Sequence, residues 1–174
     1  MIDESRIHVM ISEEEILKRA QEMGQAISKD YAGKELIVVC ILNGSVMFMT
    51  DLAKNIKVPM TMDFMRVSSY GNDFTSSGVI TVKQDLSQDI KGKHVLIVED
   101  IVDTGRTLYH LKEMLSKREP ASLKICTLLD KPNTRVSQVD IDYSGFVIED
   151  KFVLGYGLDY EQYYRNLPYV AYVE

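Results

Sequence analysis

An α/β fold on a mainly parallel sheet is predicted by two observations. The continuous aliphatic run "LIVVCIL" from Leu36 reads as a strand covered on both faces, and the largely aliphatic "HVLIV" from His94 and "LKICTLL" from Leu123 as further strands. Stretches with helical periodicity separate these runs, the alternation that builds parallel sheets flanked by helices. With 174 residues and 45% hydrophobic content, the chain fits one domain with a substantial core.

The elements follow in order. Ser12, Glu13, Glu14 and Glu15 form a capping box, and Ile11 with Ile16 are placed as a hydrophobic staple, so a helix starts here. Ile16, Ala20, Met23, Ile27 and Tyr31 recur at its buried spacing, and Gly33 is expected to end it. The first strand follows and is broken by "NGS"; residues 45–56 then read as a helix and residues 60–68 as an alternating strand. The polar, glycine-containing "SSYGNDFTSSG" is a loop. Strands are expected at residues 79–82, 94–98 and 123–129, with a helix over 104–117. Beyond Lys131 the chain changes to short strands with several Tyr and is expected to pack over one end of the sheet.

Composition excludes several classes. Twenty-six acidic against 20 basic residues, net charge −6, oppose a broad grip on DNA or RNA while permitting a small phosphorylated ligand. The longest aliphatic run is far short of the roughly 20 apolar residues of a spanning helix, and "MIDESRIHVM" lacks the basic-then-apolar order of a signal peptide. A soluble, cytoplasmic protein is expected, with no membrane and no nucleic-acid partner. Cys40 and Cys126 lie in aliphatic runs without CxxC spacing and read as reduced core thiols. His8, His94 and His110 show no metal-ligand spacing, and "GYG" at Gly155 lacks the third glycine of a dinucleotide fingerprint.

One stretch needs chemistry to explain it. "HVLIVEDIVDTGRTL" carries a buried-looking strand into Glu99 and Asp100, then through Asp103 into a Thr-Gly-Arg-Thr turn. In a parallel sheet, ligands bind beyond the carboxyl ends of the strands, where turns meet helix amino termini with unpaired N–H groups. The turn is a phosphate cradle although no GxxxxGK[ST] occurs. Acids beside an anion site make sense if the ligand is a sugar phosphate: the turn takes the phosphate, and the acids accept from ribose hydroxyls and help retain Mg2+.

"VLIVEDIVDTGRTL" resembles the phosphoribosyl-pyrophosphate signature of the type I phosphoribosyltransferases. "DKFVLGYGLDYEQYYRNLPYV", "TLLDKPNTR", "SSYGNDFTSSG" and the "LNGS" turn resemble, in order and spacing, segments of hypoxanthine-guanine phosphoribosyltransferases of bacterial type. The likeness covers nearly the whole chain. It implies a core over about residues 34–145, and a small hood from the amino-terminal residues and about 146–174. It also implies a Mg2+-dependent reaction of a 6-oxopurine with phosphoribosyl pyrophosphate, giving a nucleotide and pyrophosphate, in a homodimer or homotetramer.

The resemblance further implies roles. Glu99 and Asp100 hold the ribose hydroxyls and support Mg2+, Asp103 faces the purine N7, and Thr104, Gly105, Arg106 and Thr107 bind the 5′-phosphate. Leu42, Asn43, Gly44 and Ser45 form the pyrophosphate loop, with a cis peptide before Asn43, and Arg165 is a further pyrophosphate contact. Many relatives carry Lys or Arg where this chain has Asn43. Lys131 donates to the purine O6, Phe152 stacks on the base, Val153 offers backbone hydrogen bonds to its edge, and Asp159 is a further metal ligand. Ser69 and Tyr70 lie at the tip of a loop that closes over the reacting centre. Read alone, Lys131 is an exposed turn lysine, Phe152 a core residue, and Asp159 and Arg165 surface charges.

Two rival readings are weighed, and sequence features speak against both. A non-catalytic regulator that senses phosphoribosyl pyrophosphate and binds nucleic acid would need a basic surface or an added DNA-binding segment, whereas this chain is acidic. A transferase for adenine or a pyrimidine would not be expected to carry Lys131 and Phe152 at these spacings.

Overall fold

A computed structural model describes residues 2–69 and 80–174. Strand β1 spans Ile7–Ile11 and leads into helix α1, Glu13–Asp30. Ser12 caps α1 with the reciprocal bonds of a capping box: its hydroxyl accepts from Glu15 N, and its own N–H donates to Glu15 Oε2 at 2.8 Å. The stripe Ile16, Ala20, Met23, Ile27 and Tyr31 is buried as its spacing requires. Strand β2, Leu36–Ile41, is buried at every position. Helix α2 spans Val46–Lys54, shorter at both ends than residues 45–56, because Ser45 and Asn55 are its caps. Strand β3, Met60–Ser69, and strand β4, Ile80–Gln84, follow; Tyr70 and the loop it belongs to lie outside the described residues.

Strand β5, His94–Val102, is longer than expected. It does not stop at Val98, because Glu99, Ile101 and Val102 stay in register with Thr127, Leu129 and Asp130 of β6, Ser122–Asp130. The acids therefore stand within the strand. Helix α3, Arg106–Ser116, starts two residues later than residue 104, since Gly105 takes φ 77°, a left-handed conformation outside the helix. Strand β7, Tyr143–Val147, then β8, Val153–Leu154, and β9, Val170–Val173, complete the chain.

The main sheet has the order β4-β3-β2-β5-β6-β7 and is parallel except at the β3/β4 edge. Alternation along its strands divides the core. Val38, Cys40, Leu96 and Val98 pack with α1 and α2, whereas Val39, Ile41, Val95 and Ile97 pack with Leu108, Leu111 and Leu115 of α3. Arg19 of α1 donates to the backbone carbonyls of Gly145 and Ser144, clamping that helix to β7. A separate antiparallel sheet, β1-β9-β8, forms the hood. Strand β1 went unrecognised in the sequence, since its partner β9 lies at the other end of the chain. Cys40 and Cys126 are free and buried, and burial pushes both thiols up. Among the described residues, no helix is long and apolar enough to cross a membrane.

Asp63 of β3 is a buried carboxylate that fixes the connection between β4 and β5. It accepts from Ser87 N at 3.0 Å, Gln88 N at 2.9 Å, Phe64 N at 2.8 Å and the Ser87 hydroxyl at 3.0 Å. Burial works against its charge, but these donors outweigh it and hold the group below its ordinary value. A depressed pKa stabilises the fold fully above the unfolded value, about 3.9, and this contribution is lost as pH falls through the folded value. Asp63→Asn is therefore predicted to lower the unfolding free energy by about 2 kcal/mol at pH 7 in urea titrations. The difference from wild type should shrink below about pH 3.9.

Candidate active site

The strand order places a cleft. From β2 the chain crosses through α2 to β3 on one side, and from β5 it crosses through α3 to β6 on the other. Between the carboxyl ends of these two neighbouring strands the connections diverge, and open α/β sheets bind ligands at such a point. The segments leaving them are the "LNGS" turn and the "DTGRT" turn.

The first turn is built around a close backbone approach. The Leu42-Asn43 peptide is cis. A Cβ on Gly44 would collide with Asp100 Oδ2, and one on Gly157 would collide with the Gly44 carbonyl oxygen. Asp100, Gly44 and Gly157 are thus stacked in contact. The layer continues through Arg165, whose guanidinium donates to Gly157 O at 2.7 Å and pairs with Asp159 at 3.0 Å. Ser45 is buried, its hydroxyl turned inward to the Ile41 carbonyl and its own carbonyl accepting from Met49 N of α2. Asn43, exposed and uncharged, accepts from Arg66 of β3 at 2.7 Å, so a guanidinium stands beside the turn that lacks a cation of its own.

Glu99 and Asp100 project to opposite faces of the sheet, as adjacent strand residues must. Glu99 lies on the α3 side, in a cavity of about 140 Å³ shared with Asp103, Thr104, Gly105 and Thr107. Burial, with the Asp100 charge beside it, raises Glu99 well above the usual carboxylate range. Asp100 lies on the α2 side and is pushed up to about 6 by burial; the Ile101 N–H and Arg165 oppose that shift, and Asp159 adds to it.

The second turn is held from behind. The Thr104 carbonyl accepts from Val136 N and Ser137 N, and the Asp103 carbonyl accepts from Arg135 Nε at 3.1 Å. Arg135 also pairs with Asp130 and packs over Gly105, where a Cβ would come within 2.7 Å of both its Cδ and Ser137 O. The side chains of Asp103, Thr104 and Arg106 are left exposed; the N-cap Gly105 has no side chain to offer α3, and only Arg106 N is met from the side, by the Thr104 hydroxyl at 3.4 Å, so the next N–H groups of the first turn remain for an anion.

Lys131 is not an exposed turn lysine. It is 6% exposed, and its ammonium donates to Lys151 O at 2.7 Å and to Asp150 at 3.2 Å. Nor is Phe152 a core residue: it is 53% exposed, edge-on to Tyr160. The Phe152 carbonyl accepts from Val173 N, and the alternation of an antiparallel ladder then turns the N–H and C=O of Val153 to the open edge of β8. A buried cation, an exposed aromatic face and an open backbone edge are thereby set side by side.

Of the residues singled out from the sequence, Leu42 to Ser45, Asp100, Asp159 and Arg165 form one contiguous group. Glu99, Asp103 and the "TGRT" turn form a second, and Lys131, Phe152 and Val153 a third. Ser69 ends β3, and Tyr70 falls outside the described residues. The sequence reading missed Arg135 and Arg66. Arg135 stands in the quoted "TLLDKPNTR" segment, and an arginine so near a buried lysine was its available signal; Arg66 has none, because it meets Asn43 only through strand pairing. The histidines make local contacts, His8 to Glu174, His94 to Ser122 and His110 to Glu113.

Residues 10–161 match the phosphoribosyl transferase domain family. The chain is 53% identical over 171 residues to a hypoxanthine-guanine phosphoribosyltransferase of Streptococcus pneumoniae, covering 98% of this chain and 95% of that one. It is 50% identical over 167 residues to a hypoxanthine phosphoribosyltransferase of Salmonella typhimurium, covering 95% and 94%. Its fold superimposes on the crystal structure of a hypoxanthine phosphoribosyltransferase from Staphylococcus aureus with a TM-score of 0.93 at 48% identity, over 95% of this chain and 90% of that one. This chain belongs to the type I phosphoribosyltransferase family, among its bacterial hypoxanthine-guanine members.

Proposed function

We propose that the protein is a purine-salvage enzyme that joins hypoxanthine or guanine to phosphoribosyl pyrophosphate, releasing IMP or GMP and pyrophosphate. The observation that carries this reading is the buried Lys131 ammonium held beside exposed Phe152 and the open Val153 edge. Lys131 spends donors on Lys151 O and Asp150, and an ammonium has three donors and no acceptor. It suits an oxo group at purine C6 and opposes an amino group there. Phe152 stacks on the base and the Val153 backbone meets its edge.

The "TGRT" turn and the start of α3 take the 5′-phosphate, with Glu99 and Asp100 accepting from the ribose hydroxyls. The "LNGS" turn, with Arg165, holds the pyrophosphate. Glycosyl transfer builds positive charge on the sugar and negative charge on the leaving group. Glu99 and Asp100 lie beside the first and Arg165 beside the second. Asp103 manages the N7 proton as N9 attacks the sugar.

The donor set suits Mg2+, a hard cation that keeps several waters while binding one or two carboxylates: Asp100 stands against the Gly44 turn with the Asp159 carboxylate near enough to add to its raised pKa. Asp100 and Asp159 would hold it, with Glu99 supporting from the other face. Bound there, the ion supplies charge neutralisation to the pyrophosphate. The whole chain, residues 1–174, acts as one domain, in the cytoplasm and as a homodimer or homotetramer; two buried, unpaired thiols agree with a reducing compartment.

Turnover of each free base with Mg2+ and phosphoribosyl pyrophosphate tests this reading, and kcat/KM for adenine is expected to be about 10⁴-fold below that for hypoxanthine or guanine. Efficient adenine use would refute it. Lys131→Ala should narrow the gap mainly by weakening the oxopurine reaction, read from kcat/KM for each base. Asp103→Asn is expected to lower kcat by about 10²- to 10⁴-fold with little change in substrate Kd. In Gly44→Ala the new methyl must displace either the Asp100 carboxylate or the turn, so kcat/KM for phosphoribosyl pyrophosphate should fall by about 10²-fold. Circular dichroism should show that variant folded.

A further inference from the structure

The "GYG" stretch is no dinucleotide fingerprint, yet the structure gives its tyrosine an unusual setting. Tyr156 sits at φ 50°, between Gly155 at 90° and Gly157 at 97°, and Glu161, Gln162 and Tyr164 also take positive φ. A non-glycine residue in this region persists only where surrounding contacts enforce it. Such contacts surround it: Tyr156 N donates to Leu167 O at 2.8 Å, Gly157 N to Arg165 O at 2.9 Å, and Arg165 returns a bond to Gly157 O. Residues 155–167 therefore form a strap tied across itself by hydrogen bonds.

The strap is moored to the body of the protein through the Tyr156 side chain. Its ring is buried, 5% exposed, in the core cluster that includes Phe48, Met49 and Leu52 of α2. Its hydroxyl donates to Asp51 Oδ2 of α2 at 2.6 Å. Burial and the neighbouring Asp51 carboxylate push the phenol pKa up, so it remains a donor. Asp51 also pairs with Lys54 at 2.9 Å and stays partly exposed. The helix that receives this bond is the one that the "LNGS" turn begins, and the next strap residue, Gly157, is the one in contact with Gly44.

We propose that Tyr156, through its hydrogen bond to Asp51, is a positioning residue that seats the strap on α2 and so holds Gly157 against Gly44. The spacing between the "LNGS" turn and the Asp159–Arg165 pair around Asp100 then follows from how one helix holds the tyrosine hydroxyl, through a part-buried bond to Asp51 with Met47 O at 3.5 Å beside it. This assignment rests on the proposed function for its consequence in catalysis, although the docking itself is a property of the fold. The base side of the site is moored differently, by pairing of Val153 and Leu154 with Tyr172 and Ala171 of β9. Loosening Tyr156 should therefore act on the pyrophosphate side and spare the base side.

The test compares wild type, Tyr156→Phe, Asp51→Ala, Asp51→Asn and the double variant Tyr156→Phe/Asp51→Ala. Tyr156→Phe keeps the ring and its backbone conformation and removes one hydroxyl. Steady-state kinetics should show KM for phosphoribosyl pyrophosphate raised by about tenfold in Tyr156→Phe and in Asp51→Ala, with KM for hypoxanthine unchanged. The double variant should be no worse than either single one, as expected for two partners of one bond, and Asp51→Asn, which keeps an acceptor, should stay near wild type. Amide exchange read by mass spectrometry should quicken together in peptides covering residues 42–47 and 155–165 of Tyr156→Phe, and not in peptides from β6. Equal rises in both KM values, effects that multiply in the double variant, or unchanged exchange at residues 42–47 would each overturn the proposal. If wild type turned over neither hypoxanthine nor guanine, the functional reading would fall, and the exchange experiment would still decide the docking.

Discussion

The approach of three backbone and side-chain groups at Gly44 is the constraint on which the site depends. The Asp100 carboxylate occupies the space a side chain at position 44 would need, and Gly157 fits against the opposite side of the same residue. Removing two Cβ atoms lets a strand end, a helix-initiating turn and a distant carboxy-terminal strap meet within van der Waals distance. The benefit is geometric. Asp100, the Asp159–Arg165 pair and the backbone of the turn then meet in one place, as the proposed binding of a highly charged sugar pyrophosphate requires.

Electrostatics sharpens that arrangement. Glu99 and Asp100 are consecutive, and strand geometry sends them to opposite faces, so a ligand across the strand end meets one acid on each side. Burial raises both, and Asp100 reaches about 6, with Arg165 counteracting part of the shift. Carboxylates in that condition gain when cationic charge develops or binds nearby. An oxocarbenium-like sugar and a divalent ion are both such charges, which is why the proposed chemistry suits a pair of acids that folding alone would not favour.

The hood contributes by leaving one strand incomplete. Strand β8 pairs on one side with β9 and presents its other edge unpaired, and Val153 turns its polar backbone groups to that edge. Exposed edges invite pairing with other chains, but two residues make too short a template. The edge is useful here because Lys131 reaches from the end of β6 to Lys151 O, just upstream of Phe152 and Val153. One lysine thus ties the hood to the main sheet and aims a donor at the same place.

The sequence by itself determined the buried strands, the capped α1 and the turn between β5 and α3, since each depends on neighbours close along the chain. Aliphatic runs, a capping box and a Thr-Gly-Arg-Thr turn carry their physics locally. Lys131, Phe152 and Val153 were legible only through resemblance; read one by one, the first two suggest an exposed turn and a core, and burial reverses both. What only the tertiary structure decided is long-range. The pairing of β1 with β9, the placing of Glu99 and Asp100 on opposite faces within a longer β5, the Arg66 contact to Asn43, the Arg135 brace behind Asp103 and the Tyr156 mooring on α2 all join residues far apart in sequence. No local pattern encodes such contacts, because strand order, register and the removal of two Cβ atoms bring the groups together.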